Sequence, residues 1–212
     1  MGIPYYFSYL IQNYNEIINK LNNINNIHNL YIDSNSIIYD CVKNIEHLYE
    51  NNEQFENLLI TNVIEKLEEI INYIKPTNRI IIAFDGIPPF AKIKQQKNRR
   101  YKSYVQNNLL NKKNVWDAIS ITPGTKFMNK LDYKLNKYFT QKNIILSLSN
   151  EPGEGEHKIF KYIRTIKHND ENILIYGMDA DLFMLSLLHL KYSKNIYLYR
   201  ETPNFINSLN CS

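Results

Sequence analysis

Arg79-Ile80-Ile81-Ile82-Ala83-Phe84-Asp85-Gly86 decides the fold. An unbroken apolar run, rich in β-branched Ile, ends on a carboxylate and a chain breaker. Strict alternation would mark a strand with one wet face; a continuous run marks a strand covered on both faces. Outward from it the same figure recurs. Leu30-Tyr31-Ile32 runs into Asp33, and Ile144-Ile145-Leu146-Ser147-Leu148 precedes Glu151-Pro152-Gly153. Ile173-Leu174-Ile175-Tyr176 ends at Gly177, and residues 195–199 give a last β-branched and aromatic segment. Helical periodicity fills the gaps. Residues 55–74 carry Leu58, Leu59, Val63, Leu67, Ile70, Ile71 and Ile74 and stop before Pro76, and residues 127–139 and 156–166 read the same way. Strand alternating with helix predicts an α/β fold, a mostly parallel twisted central sheet flanked by helices.

Hydrophobic residues make up 44% of the 212 and charged residues 22%, an ordinary globular balance that argues against wholesale disorder. No internal repeat or linker interrupts the pattern, so residues 1–212 read as one domain. The 2 cysteines, Cys41 and Cys211, suggest no disulfide framework and cannot alone close a zinc site. No uncharged apolar run approaches the roughly 20 residues that span a bilayer. The start, Met1-Gly2-Ile3-Pro4-Tyr5-Tyr6, lacks a secretory signal and puts Tyr6 where a myristoylation motif wants Ser or Thr. The expectation is a soluble, intracellular monomer with no membrane partner.

Net charge is only +4, but its distribution is uneven. No acid lies between Asp85 and Asp117, while Lys92, Lys94, Lys97, Arg99, Arg100, Lys102, Lys112 and Lys113 fall in that window. Such a run is either a solvated helix face or a surface for a polyanion.

The placement of acids bears on which. Asp33, Asp85 and the pair Asp179/Asp181 each follow a predicted strand, at the sheet edge where ligands of open parallel sheets bind. A single such Asp is commonplace as a helix N-cap; three strands ending alike are harder to dismiss. A fourth strand leads into Pro152-Gly153-Glu154-Gly155-Glu156-His157. Glu154 and Glu156 could simply favour the helix dipole, but two glycines weaken a helix start. They make sense where the backbone must turn tightly and bring both Glu side chains to one point. Six carboxylates at one edge would repel and partly protonate unless hard cations joined them. Mg²⁺ is the natural occupant, Mn²⁺ a substitute, and two ions roughly 4 Å apart form a phosphodiester-cleaving arrangement. His157 reads as packed or capping and Cys41 as buried; Trp116 and the many Tyr could stack bases, though Tyr this frequent is mostly core and surface filler; Met128, Met178 and Met184 read as core.

Several stretches then resemble one family. These are Met1-Gly2-Ile3-Pro4, Tyr31-Ile32-Asp33-Ser34-Asn35-Ser36-Ile37-Ile38 and Ala83-Phe84-Asp85-Gly86-Ile87-Pro88-Pro89-Phe90-Ala91-Lys92. With them go Gln95-Gln96-Lys97-Asn98-Arg99-Arg100, Ile121-Thr122-Pro123-Gly124-Thr125-Lys126-Phe127-Met128, Pro152-Gly153-Glu154-Gly155-Glu156-His157-Lys158-Ile159 and Gly177-Met178-Asp179-Ala180-Asp181-Leu182. In order and spacing, from residue 1 to about 203, they resemble the N-terminal nuclease domain of the Xrn 5′→3′ exoribonucleases. The resemblance implies a PIN-like, flap-nuclease (Rossmann-like) core and release of 5′-mononucleotides from single-stranded RNA with a 5′-monophosphate. It implies Asp33, Asp85, Glu154, Glu156, Asp179 and Asp181 as metal ligands. Lys92, Gln96, Arg99 and Arg100 become a pocket for the terminal phosphate, one too tight for a cap or triphosphate. Their helical spacing agrees, since one helix face can aim several donors at one phosphate.

Where the family stacks the 5′ base on a His, this chain has Tyr39, which can also stack. The family's stacking Trp partner and a further Asp ligand would fall beyond residue 212, so the chain is either a fragment or a short form with a weakly held second metal. Two other readings stay open. A flap-type DNA nuclease would share the acids and fold, and a non-enzymatic RNA-binding module would keep only the phosphate pocket.

Overall fold

The computed structural model describes residues 6–18, 21, 26–109, 116–168 and 170–201. Residues 1–4, Lys112, Lys113 and Cys211 lie outside them. Five strands form one sheet: β1 (Asn29–Asp33), β2 (Arg79–Ala83), β3 (Ile144–Ser147), β4 (Ile173–Tyr176) and β5 (Ile196–Tyr199). Their order is β3-β2-β1-β4-β5 and every pairing is parallel. The helices are α1 (Tyr6–Asn13), α2 (Asn35–Ile45), α3 (Asn52–Ile74), α4 (Phe90–Leu109), α5 (Lys126–Tyr138), α6 (Gly155–Thr165) and α7 (Asp181–His189). This is the predicted α/β architecture, consistent with a PIN-like core.

The unalternating strands split their side chains between two cores, as strands must. Leu30, Ile32, Ile80, Ile82, Leu174 and Tyr176 join α2, α3 and α5 on one face. Tyr31, Ile81, Ala83, Ile173 and Ile175 meet Ile159, Phe160 and Ile163 of α6 and Leu182 of α7 on the other. The central strands are buried on both faces as the continuous runs predict. The edge strands are not: β3 is only partly buried up to Ser147, and β5 is partly buried throughout. An edge position leaves one flank without a neighbour, and apolar runs alone cannot tell edge from centre.

Local signals explain the longest helix. Asn51 caps α3 by accepting from the Gln54 amide at 3.0 Å. Apolar residues at three- and four-residue spacing bury Phe55, Leu59, Val63, Leu67, Ile70 and Ile74. Lys75, held off the α-helical region by Pro76, closes it at φ 51°. Trp116 is buried, its ring 5.5 Å from Phe55 and 5.0 Å from Phe127. Met128 and Cys41 are also buried as expected. Met178 is only partly buried, and Met184 is 42% exposed, so that expectation fails: Met184 lies on the outer side of α7.

Candidate active site

The strand order sets where the acids lie. β1 is central, with β2 and β4 as its neighbours, and Asp33 pairs with Ala83 while Ile32 pairs with Tyr176. The three strands therefore end level. Asp33 is the last residue of β1, Asp85 follows β2 by two residues, and Asp179 and Asp181 lie between β4 and the first turn of α7. Glu154 and Glu156 open α6 after β3. All six lie at the carboxyl edge, around the switch point where the connections leave in opposite directions.

Helix capping does not account for them. The residue preceding α2 is Ser34, that preceding α7 is Ala180, and neither these nor Glu154 before α6 makes a side-chain capping bond. Asp85 does meet a helix start, at long range. Asp85 Oδ1 accepts from the Gly155 amide at 2.7 Å, tying the β2 loop to the start of α6. Asp85 Oδ2 accepts from Asn35 Nδ2 at 2.7 Å, and the Asp85 amide donates to Asn35 Oδ1 at 3.1 Å. Three loops are thus stitched through one carboxylate.

The glycines divide the labour. Gly153 sits at φ +106°, a turn that residues with a Cβ rarely adopt. Gly155 serves close approach: a Cβ there would collide with Asp33 Oδ1. With Glu154 extended at φ −80°, ψ 153° and Glu156 helical, the two side chains converge rather than diverge, each within 4.8 Å of the other and of His157.

The electrostatics report the crowding. Burial pushes Asp33 well above the ordinary carboxylate range, and the charges of Asp85, Asp179, Glu156 and Glu154 push it further. Asp85 is raised by burial against the lowering effect of the Gly155 amide. Glu156 is raised from 4.5 to about 7, by burial first and then by Asp179, Glu154 and Asp181 against the pull of Lys92. Its Oε2 is buried with no hydrogen-bond partner among the described residues.

Against this acidic floor stands α4. Together they enclose a cleft of ≈ 700 Å³, lined on the acidic side by Asp85, Glu154, Glu156, Asp179 and Asp181 and on the other by α4 residues including Lys92, Lys94, Gln96 and Lys102. Lys92 reaches across to Glu154 Oε2 at 2.6 Å. Gln96 lines the cleft and accepts from Arg100 at 3.4 Å, while Arg100 itself is not on the lining. The Arg99 side chain lies outside the described residues. Tyr39 is exposed on α2 and is not on the lining either. The structure therefore brings together the carboxylates, Lys92 and Gln96.

Residues 1–202 match the family described as the XRN 5′-3′ exonuclease N-terminus. The chain belongs to that family. It is 32% identical to 5′-3′ exoribonuclease 1 of Saccharomyces cerevisiae over 97% of its own length and 15% of that protein's. With 5′-3′ exoribonuclease 1 of Homo sapiens the identity is 32% over 97% of this chain and 14% of the relative. With 5′-3′ exoribonuclease 2 of Candida glabrata it is 31% over 88% and 24%. The chain thus spans less than a quarter of the length of these XRN relatives.

Within this XRN-type domain three further residues hold the cleft together. Lys158 is buried, and its ammonium donates to the carbonyls of Phe84 and Leu148 at 2.7 Å each, joining the loops after β2 and β3. Burial pushes its pKa down. Asn35 orients Asp85, as described, and Asp132 of α5 holds Ser149, accepting from its hydroxyl at 2.7 Å. Lys158 lies in a stretch that resembles the family, but its buried clamping role was not legible, since a Lys in a helical first turn reads as solvated surface. For His157 the packed alternative fails. It is exposed rather than packed, its Nε2 3.8 Å from Glu154 Oε2 and 3.9 Å from Glu156 Oε1. A side chain three residues on from the Glu154 cap follows it to the cleft rim rather than the core. Among the described residues no helix is long and apolar enough to cross a membrane.

Proposed function

We propose that this chain is the nuclease core of a 5′→3′ exoribonuclease that hydrolyses 5′-monophosphorylated single-stranded RNA to 5′-mononucleotides with the help of two bound Mg²⁺ ions. The observation that carries the reading is one cleft with a carboxylate floor and a lysine-bearing wall. A phosphodiester presents both demands at once: its anionic oxygens need cations, and its cleavage needs a place to hold hard metal ions.

The donor set fits such ions. Every acidic ligand offers oxygen, the preference of Mg²⁺ and Mn²⁺. Raised carboxyls and the unpartnered Glu156 Oε2 mark a group of charges that a divalent cation would relieve. Asp33, Asp85, Glu154, Glu156, Asp179 and Asp181 would hold it. Bound there, divalent ions supply an acidified water near neutral pH and charge neutralisation at the phosphate.

The protein's own residues do the rest. Asn35 and the Gly155 amide fix the Asp85 carboxylate in one orientation. Lys158 keeps the loops bearing Asp85 and Glu154 at fixed separation. Lys92 and Gln96 face the cleft from α4 at one-turn spacing, where an ammonium and an amide can receive a terminal phosphate. Arg99 and Arg100 would complete that pocket, and Tyr39 on α2 would stack on the first base.

The test pairs substrates and ends. Single-stranded RNA and branched DNA, each with 5′-phosphate or 5′-hydroxyl, are incubated with Mg²⁺ and the products resolved. The expected result is mononucleotide release from 5′-phosphorylated RNA, lost in Asp179→Ala and Glu154→Ala. Preference for branched DNA would replace the reading by a flap-type nuclease, and undiminished hydrolysis by both variants would remove the site.

A further inference from the structure

The outer side of α4 carries a feature the cleft does not use. Among its described residues none is buried. Phe90 is 90% exposed and Tyr101 68% exposed, and Ile93 is exposed as well. At 100° per residue, Phe90, Lys97 and Tyr101 fall within about 40° of one another. Gln95 and Lys102, which line the cleft, point about 120° away from Phe90. The helix therefore has two distinct exposed faces. Lys94 borders both: it lines the cleft and stands one turn from Phe90.

A merely solvated face gives no reason for bare rings beside the lysines, and a core-seeking face gives no reason for the lysines. Rings and cations interleaved along one line are what a single-stranded nucleic acid uses: bases stack on the rings, and phosphates meet the ammonium groups. Charge decides between that occupant and a protein segment. The helix lies in a window without a single acid between Asp85 and Asp117, which complements a polyanion along its whole length. Phe90 and Tyr101 stand eleven residues apart, about 16 Å along the axis, which is room for about five nucleotides at stacked spacing.

We infer that the strip Phe90–Ile93–Lys97–Tyr101 is a second docking site for single-stranded nucleic acid, continuous with the cleft through Lys94. It rests on the reading of the chain as a nuclease. The strip adds affinity for strands longer than the few nucleotides that the cleft accommodates.

Fluorescence anisotropy with a 5′-hydroxyl 12-mer in EDTA tests the strip without cleavage, and trimming of a 5′-phosphorylated trimer in Mg²⁺ tests the cleft separately. Phe90→Ala with Tyr101→Ala is expected to weaken 12-mer binding by about tenfold or more, at one stacked base lost per ring. Trimer trimming stays at the wild-type rate. Phe90→Leu is expected to lose as much as Phe90→Ala, and Phe90→Trp to restore binding. Lys97→Gln lowers the salt dependence by about one phosphate's share, a slope change of roughly 0.7. Circular dichroism confirms that the exposed substitutions leave the helix intact. Binding of the 12-mer within twofold of wild type by the double variant overturns the proposal. So does full binding by Phe90→Leu, which would make the face an apolar contact for protein. If wild type fails to trim the trimer while the 12-mer effects hold, the nuclease reading falls and the strip stands.

Discussion

Raising the pH should loosen this protein unless divalent ions are added. Glu156 is 8% exposed, and its folded-state pKa is about 7 against an ordinary 4.5. The folded state therefore keeps a proton that the unfolded chain releases. For a carboxyl shifted upward, the stabilising contribution is present below the unfolded value and is lost as pH rises through the folded one. The window is thus pH 4.5 to about 7. A change of that size corresponds to roughly 3 kcal/mol at 1.36 kcal/mol per tenfold in proton affinity. Glu156 opens on a wet cleft, and screening brings the figure to about 2 kcal/mol. Asp33 and Asp85 are raised too and act with the same sign.

For a chain of this size, about 2 kcal/mol moves the melting temperature by about 4–8 °C. Thermal melts in EDTA from pH 5 to pH 8 should show that fall, and Mg²⁺ at pH 8 should reverse it, since an ion that binds only the folded form stabilises it by mass action. Glu156→Gln removes the charge at nearly constant shape. Its melts in EDTA should lie above wild type at pH 8, vary less between pH 5 and pH 7, and respond less to Mg²⁺. A wild-type melting temperature that rises with pH across this window, or a Glu156→Gln variant less stable than wild type at pH 8, would refute the reasoning.

Three other outcomes follow from the same geometry. Lys158→Met leaves the Phe84 and Leu148 carbonyls without their ammonium, which should cost about 2–4 kcal/mol in urea unfolding and raise the Mg²⁺ needed for half-maximal activity. Gly155→Ala puts a methyl into Asp33 Oδ1, so trimming should be abolished and Mg²⁺ stabilisation in melts lost, whereas Gly124→Ala at φ +87°, with open space around it, should cost stability alone. Lys92 and Glu154 pair with each other at 2.6 Å, so a phosphate taking Lys92 frees Glu154 for a cation and the reverse. Calorimetry with a 5′-phosphorylated oligonucleotide and Ca²⁺ should find each ligand tightening the other by about fivefold or more, by the same factor in both directions, with Lys92→Met abolishing the coupling.

How much of this was legible beforehand depends on how far apart in sequence the interacting groups stand. The strands were readable because a continuous apolar run is a local signal, and Asp33, Asp85 and Asp179 were readable because each ends or closely follows such a run. Parallel pairing then did the rest: once Asp33 lies level with Ala83, the acids at the strand ends share an edge. The clamps that hold the acids were not readable. Asn35 reaches Asp85 across fifty residues and Lys158 reaches Phe84 across seventy-four, and neither spacing carries a period that sequence could display. The glycines mark the boundary between the two kinds of information. Gly155 could be suspected from its awkward place at a helix start, but its reason is the Asp33 oxygen from a strand more than a hundred residues earlier. Electrostatics explains why such clamps are needed at all. Carboxylates brought this close repel one another, so each must be tied to an amide, an ammonium or a cation, and the ties come from whichever distant segment the sheet has placed alongside.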